Sequence, residues 1–256
     1  MIKIENVEVM GLESAIRGMR NPMNSWEKSD SFCSSVEHCI NCSDKEHCNH
    51  YYSDLGEGIP YRNGKNSSFH YLGSNDYTLM MKLRNAGTDH RKFMRMITVY
   101  MDITAPLYWW KEFDTYKVGT VANSCSTMHK IADKEFTLED FSCEHLSNPS
   151  EHRLGFTVDW LNEYRDIYNN WDSIDDDTKN RFRVYEKKDA WWQMIQLLPS
   201  SYNQRRTVML NYEVLANIYK SRCNHKLDEW RELCAWIESL PYSELITGEL
   251  DGTDNN

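Results

Sequence analysis

Apolar and polar residues alternate along IKIENVEVM at 2–10, with β-branched Ile and Val among the apolar positions, and this predicts a strand. LESAIRGMR at 12–20 then reads as a short helix. Residues 21–70 show neither helical nor strand period; they are polar, rich in Cys and His, and read as an inserted excursion. SNDYTLMMKLRNA at 74–86 opens on Ser/Asn/Asp start signals and stops at Gly87, a helix of about three turns. A strand is predicted over 95–103, ended by Ala105-Pro106, and a helix over 107–116. The small, hydroxyl-rich stretch VGTVANSCSTMH at 118–129 is expected to be a loop. Helical spacing returns at 157–171, 178–198, 203–222 and 226–239, before a polar tail ending DGTDNN. The acidic DSIDDD at 172–177 is most simply a solvated loop and a helix cap.

Composition narrows this picture. The chain has 256 residues and a net charge of −10, which predicts one domain carrying an insertion over 25–72. With only 11 Gly and 6 Pro, a turn-rich all-β fold is disfavoured. An acidic chain is a poor non-specific partner for nucleic acid or membrane, so neither is expected to bind directly. No apolar run approaches membrane-spanning or signal-peptide length, and a cytoplasmic protein is expected. Charge is nonetheless uneven. Residues 82–117 and 199–231 each carry a net +3, leaving −16 for the rest, and those two segments are where an anionic ligand would be met. The 9 Trp and 15 Tyr supply many rings, but Trp109-Trp110 and Trp191-Trp192 are adjacent on helices and point about 100° apart. At most one of each pair can face a pocket, so packing is the expected role.

Four of the 8 cysteines, Cys33, Cys39, Cys42 and Cys48, fall within sixteen residues and have His38, His47 and His50 among them. The C-x2-C knuckle flanked by two further thiols can close a tetrahedral zinc shell. An iron–sulfur cluster is open to the same ligands, as are free thiols or a redox disulfide.

The C-terminal run places Asn211 twelve residues after Pro199, Asn217 six further on and Arg222 five beyond that. If 203–222 is one helix, Asn211 and Arg222 share a face about 16 Å apart while Asn217 looks elsewhere. This stretch, LPSSYNQRRTVMLNYEVLANIYKSR, resembles the C-terminal signature of the flavin-dependent thymidylate synthases. VEVMGLESAIRGMR is similar to that family's opening strand and helix, with Arg20 at its Arg position. KLRNAG followed by DHRKFMRMITVYMDITAP resembles its helix, Gly-His turn and strand leading to Ala-Pro. The resemblance covers about two-thirds of the chain, in order. It departs at the defining motif: where the family has Arg-His-Arg, seven residues and Ser, this chain has Thr115-Tyr116-Lys117 and, at the same spacing, Cys125. Glu213 and Ile195 likewise stand where the family has arginines that hold phosphates or polarise the pyrimidine.

The resemblance implies an α/β fold, a mixed sheet with long helices, assembled as a homotetramer with active sites between subunits. It implies a divergent methyltransferase acting on dUMP or a related pyrimidine nucleotide. Methylenetetrahydrofolate would donate the carbon, FAD the hydride, and NADPH would reload the flavin. Carried over position by position, His90, Arg91, Tyr116, Lys117, Asn211 and Asn217 would lie near flavin. Glu112, Ser124, Cys125, Ser126 and Arg222 would lie near the nucleotide. No protein nucleophile is required there; a Cys125/His129 nucleophile–base pair is conceivable from spacing, but the hydroxyls around Cys125 more simply meet a phosphate. The alternative is a non-catalytic nucleotide- or partner-binding protein on the same fold, with a structural zinc insertion.

Overall fold

The computed structural model describes residues 2–35, 61–63 and 68–248. Strands β1 (Lys3–Met10), β5 (Thr98–Pro106), β7 (Asn203–Asn211) and β6 (Val121–Ser124) form one sheet in that order. A second sheet has β4 (Ser68–Tyr71) between β2 (Phe32–Ser35) and β3 (Tyr61–Asn63). Both of its pairings are antiparallel, with Phe32 opposite Tyr71 and Ser35 opposite Ser68. The chain divides into two compact units. The first comprises Met1–Lys3, Ile103–Thr115 and Asn123–Thr207; the second comprises Ile4–Asp102, Tyr116–Ala122 and Val208–Asn256.

The first unit is organised by helices. Pro106 caps α3 (Leu107–Phe113), which buries Trp109, Trp110 and Phe113 together. Their ring centres lie 4.9, 5.0 and 5.2 Å apart, and the Trp110 indole donates to the Gln204 carbonyl at 2.9 Å. Both adjacent Trp rings are therefore core, as expected. In α4 (Asn148–Asn169), Leu154, Val158, Leu161, Tyr164 and Ile167 recur at spacings of three and four and bury one stripe. That stripe packs with Ala190 and Met194 of α6 (Lys187–Leu197) and with Phe136, Phe141 and Val184. Helix α4 begins nine residues before the apolar period at 157, because its first turns are mostly exposed and announced only by Pro149. The helix expected over 178–198 is two helices. Short α5 (Asp176–Phe182), capped by Asp175 accepting from the Thr178 N–H at 2.7 Å, ends at Arg183 in the left-handed region. Helix α6 then restarts on a capping box between Glu186 and Asp189.

In the second unit, Gly11 (φ 90°) turns β1 into α1 (Leu12–Arg20), and a Cβ there would lie 2.0 Å from the Met96 carbonyl oxygen. Arg20 and Asp76 form a fully buried ion pair: the guanidinium Nε donates to Asp76 Oδ1 at 2.6 Å and its Nη atoms donate to the Ser25 and Lys28 carbonyls. Ser29 Oγ (2.6 Å) and the Ser31 N–H (3.1 Å) donate to the other carboxylate oxygen. The start of α2 (Ser74–Asn85) is capped from a distance: Asp30 accepts from the Asn75 and Asp76 N–H groups, and Ser31 Oγ from that of Gly73. A Cβ on Gly73 would stand 2.5 Å from the Asp30 carbonyl oxygen.

The helix expected over 203–222 is instead β7 followed by α7 (Tyr212–Arg222). Burial falls on Gln204, Val208 and Leu210, at even positions, which is the period of a strand. Asn211 ends the strand and caps the helix, so Asn211 and Arg222 do not share one helical face. Helix α7 pairs with α8 (Asp228–Glu238), where Tyr219 Oη donates to Glu238 at 2.6 Å, and Tyr212 Oη donates to the Pro241 carbonyl at 2.6 Å.

Candidate functional site

Helix α7 and the 116–122 loop, both in the second unit, gather most of the residues the sequence nominates. Asn211 is buried, and its Oδ1 accepts from the Val214 N–H at 3.0 Å, satisfying one of the donors a helix start leaves free. The loop turns beside this cap: Thr120 N–H closes on the Lys117 carbonyl, and Gly119 has φ 80°. A Cβ on Gly119 would lie 2.8 Å from Asn211 Nδ2, so only glycine lets the loop pass here. Asn211→Ala is expected to cost about 1 kcal/mol. Urea unfolding checks this, and a change within error would show that the cap is dispensable.

At the other end of α7, Arg222 Nε donates to Tyr116 Oη at 3.0 Å. The guanidinium lies 4.8 Å from the Trp230 ring centre and 5.8 Å from that of Tyr116, with His225 edge-on to Trp230 at 6.3 Å. Ring faces attract such a cation. The 116–122 loop thus touches both ends of α7, through Tyr116 and Gly119. Asn217, between them, is exposed, as are His90 and Lys117.

Glu213, in the first turn of α7, is buried and held by two arginines of the 3-10 turn Arg91–Met96. Arg95 donates to it through Nε and, at 3.2 Å, through Nη2. Arg91 Nε is 3.5 Å from the same carboxylate yet has no hydrogen-bond partner among the described residues, although it is buried. The hydrogen bond from Arg95 to Glu213, with the carboxylate's charge, holds the Arg95 guanidinium above its ordinary pKa. Arg206 is likewise paired, to Asp114 at 2.8 Å, and lies 4.2 Å from the Trp110 ring centre. Arg231 pairs with Asp228. These pairings draw on acids already counted within the two segments, so the net charge there is unchanged and folding decides only which guanidiniums are engaged.

Within the first unit, Glu112 is half-buried and its carbonyl accepts from Thr115 Oγ1 at 2.7 Å. Ser124 and Cys125 are exposed. The Cys125 backbone is stapled to β7, donating to the Arg205 carbonyl and accepting from Gln204 Nε2, both at 2.9 Å. Ser126 Oγ accepts from the His129 backbone N–H at 3.0 Å, and among the described residues no hydrogen bond joins Cys125 to His129. Sequence reasoning singled out neither Trp230 nor the pairing of Glu213 with Arg95. Glu213 was visible as an acid two residues past a cap-forming Asn.

Cys39, Cys42 and Cys48 lie outside the described residues, and Cys33 sits in β2. Among the described residues, no group of three His, Cys, Asp or Glu side chains is arranged to hold a metal, and no helix is long and apolar enough to cross a membrane.

No protein-family model and no curated protein matches the chain by sequence. Its structure is similar to that of thymidylate synthase X from Helicobacter pylori with FAD and dUMP, at a TM-score of 0.59 and 14% identity, over 96% of this chain and 97% of that one. A second structure, described as the flavin-dependent thymidylate synthase from the same organism complexed with FAD and dUMP, matches over the same shares at 0.54 and 14%. The α/β fold of those synthases is thus the fold of this chain.

Proposed function

We propose that this chain binds FAD and a pyrimidine nucleotide and catalyses flavin-dependent one-carbon transfer to that nucleotide. The observation that carries the reading is the fold's similarity, over 96% of the chain, to structures solved with both FAD and dUMP. The residues present fit a flavin nucleotide in part. Two buried polar atoms, Arg91 Nε and Thr120 Oγ1, have no hydrogen-bond partner among the described residues and remain available to a ligand. Exposed His90 and Asn217 add a donor and an amide on the same unit. Bound flavin would supply hydride to the transferred carbon, with methylenetetrahydrofolate and NADPH as co-substrates. The protein's part is to orient and polarise. Lys117 offers a point charge to a phosphate, though not the two-pronged grip of a guanidinium. In the first unit, the hydroxyls of Ser124 and Ser126 and the exposed Cys125 offer polar groups to a nucleotide; in the second, the Tyr116–Trp230 clamp would fix Arg222 in one direction.

The test is direct. Purified protein supplied with FAD is expected to show the flavin absorbance band near one equivalent per chain. With methylenetetrahydrofolate and NADPH, it should release tritium from labelled dUMP. A colourless protein that does not take up added FAD overturns the proposal. One observation favours a second reading, a non-catalytic nucleotide binder: Glu213 neutralises Arg91 and Arg95 from within. FAD uptake without tritium release from dUMP or related pyrimidine nucleotides would select it.

A further inference from the structure

Glu213 is a buried carboxylate in the first turn of a helix, where the helix dipole already favours an anion. It faces two guanidinium groups presented by one short turn, Arg91 and Arg95. Two convergent guanidiniums are an ordinary receptor for a phosphate or pyrophosphate. Here the receptor is filled by a residue of the same chain. Arg95 engages both carboxylate oxygens through Nε and Nη2, so its charge is already matched from within the chain. An approaching phosphate would also meet the Glu213 charge at close range. Arg91 is ion-paired to the same carboxylate through Nε at 3.5 Å.

We propose that Glu213 is a specificity-determining residue: it serves as a built-in counter-anion that closes Arg91 and Arg95 to phosphate groups. The inference rests on the reading that this site takes nucleotide ligands, and it keeps their phosphates away from the first turn of α7. Phosphates are left to other groups.

The experiment uses inorganic pyrophosphate as probe and calorimetric titration of the full chain, which requires neither flavin nor turnover. Wild type is expected to bind pyrophosphate weakly. Glu213→Gln, which keeps the shape and removes the charge, should bind it at least tenfold more tightly, with strong salt dependence. Adding Arg91→Gln and Arg95→Gln should abolish that gain. Equal affinity of wild type and Glu213→Gln overturns the proposal. Arg95→Gln in the wild-type background provides a second arm that does not require the Glu213 variant to fold. If Arg95 is occupied internally, pyrophosphate affinity stays within twofold of wild type; a tenfold loss shows Arg95 serving external anions and overturns the proposal. Failure of FAD uptake would sink the enzymatic reading while leaving these titrations interpretable.

Discussion

Asp76→Ala is expected to lower the stability of the chain by about 3–5 kcal/mol, because it strands the buried Arg20 guanidinium without its partner. The carboxylate is wholly buried and receives donors from Arg20, Ser29 and Ser31. Its loss therefore removes the joint between α1, the 25–31 loop and α2. Replacing both partners by apolar residues, as in Arg20→Met with Asp76→Leu, should recover most of the loss, since burying two charges is itself costly. Urea unfolding separates these outcomes, and a loss under about 1 kcal/mol for Asp76→Ala would show the pair to be peripheral. The pair also predicts a pH dependence. Burial pushes the Asp76 pKa up, but the hydrogen bonds from Ser29, Ser31 and Arg20, with the Arg20 charge, outweigh it and hold the carboxyl below its ordinary 3.8. A depressed folded-state pKa contributes stability that is fully present above the unfolded value and is lost as pH falls through the folded one. Wild type should therefore lose stability below 3.8, and Asp76→Asn should lose less over that window. Unfolding midpoints measured across the acid range would show it.

Trp110→Ala should be comparably severe, at about 3–5 kcal/mol. The ring is fully buried between Trp109 and Phe113, the Arg206 guanidinium covers its face, and its N–H satisfies the Gln204 carbonyl. Truncation opens a cavity and leaves that buried carbonyl without its donor. Trp110→Phe keeps most of the volume and should cost clearly less. Trp192→Ala removes an exposed ring and should change stability by no more than about 0.5 kcal/mol. Guanidinium unfolding of the three variants is the measurement. Equal losses for Trp110→Ala and Trp192→Ala would contradict the core assignment.

What the sequence made legible was what local periodicity and punctuation encode. Helix α1 follows from one-sided burial of a short patterned segment, strand β1 from the alternation of its residues and helix α2 from its start and stop signals, and Pro106 marks the passage from β5 to α3. The resemblance led to the fold. The 203–211 segment was misread because Val208 and Leu210 repeat at two residues while Leu215 and Ile218 supply a helical repeat further on, and the two patterns meet at Asn211 without a Gly or Pro between them. At the site, Asn211, Tyr116 and Arg222 were nominated, and the structure shows how they are held: by a cap, a phenol and the Trp230 ring. The charge count gave the net sign of each segment but not which cations are engaged, because Glu213 and Asp114 reach Arg91, Arg95 and Arg206 only after folding.

The distant cap on α2 has a consequence for how this chain tolerates change. Asp30 and Ser31 fasten the departing end of the insertion to Gly73, Asn75 and Asp76 at its returning end, and β2 pairs with β4 just inside that clasp. The two ends are thus neighbours whatever lies between them. Chain-closure entropy grows only logarithmically, so doubling the number of residues between the ends costs about 0.6 kcal/mol. By closure entropy alone, lengthening the intervening segment costs little, whereas a single side chain on Gly73 would disturb the clasp itself.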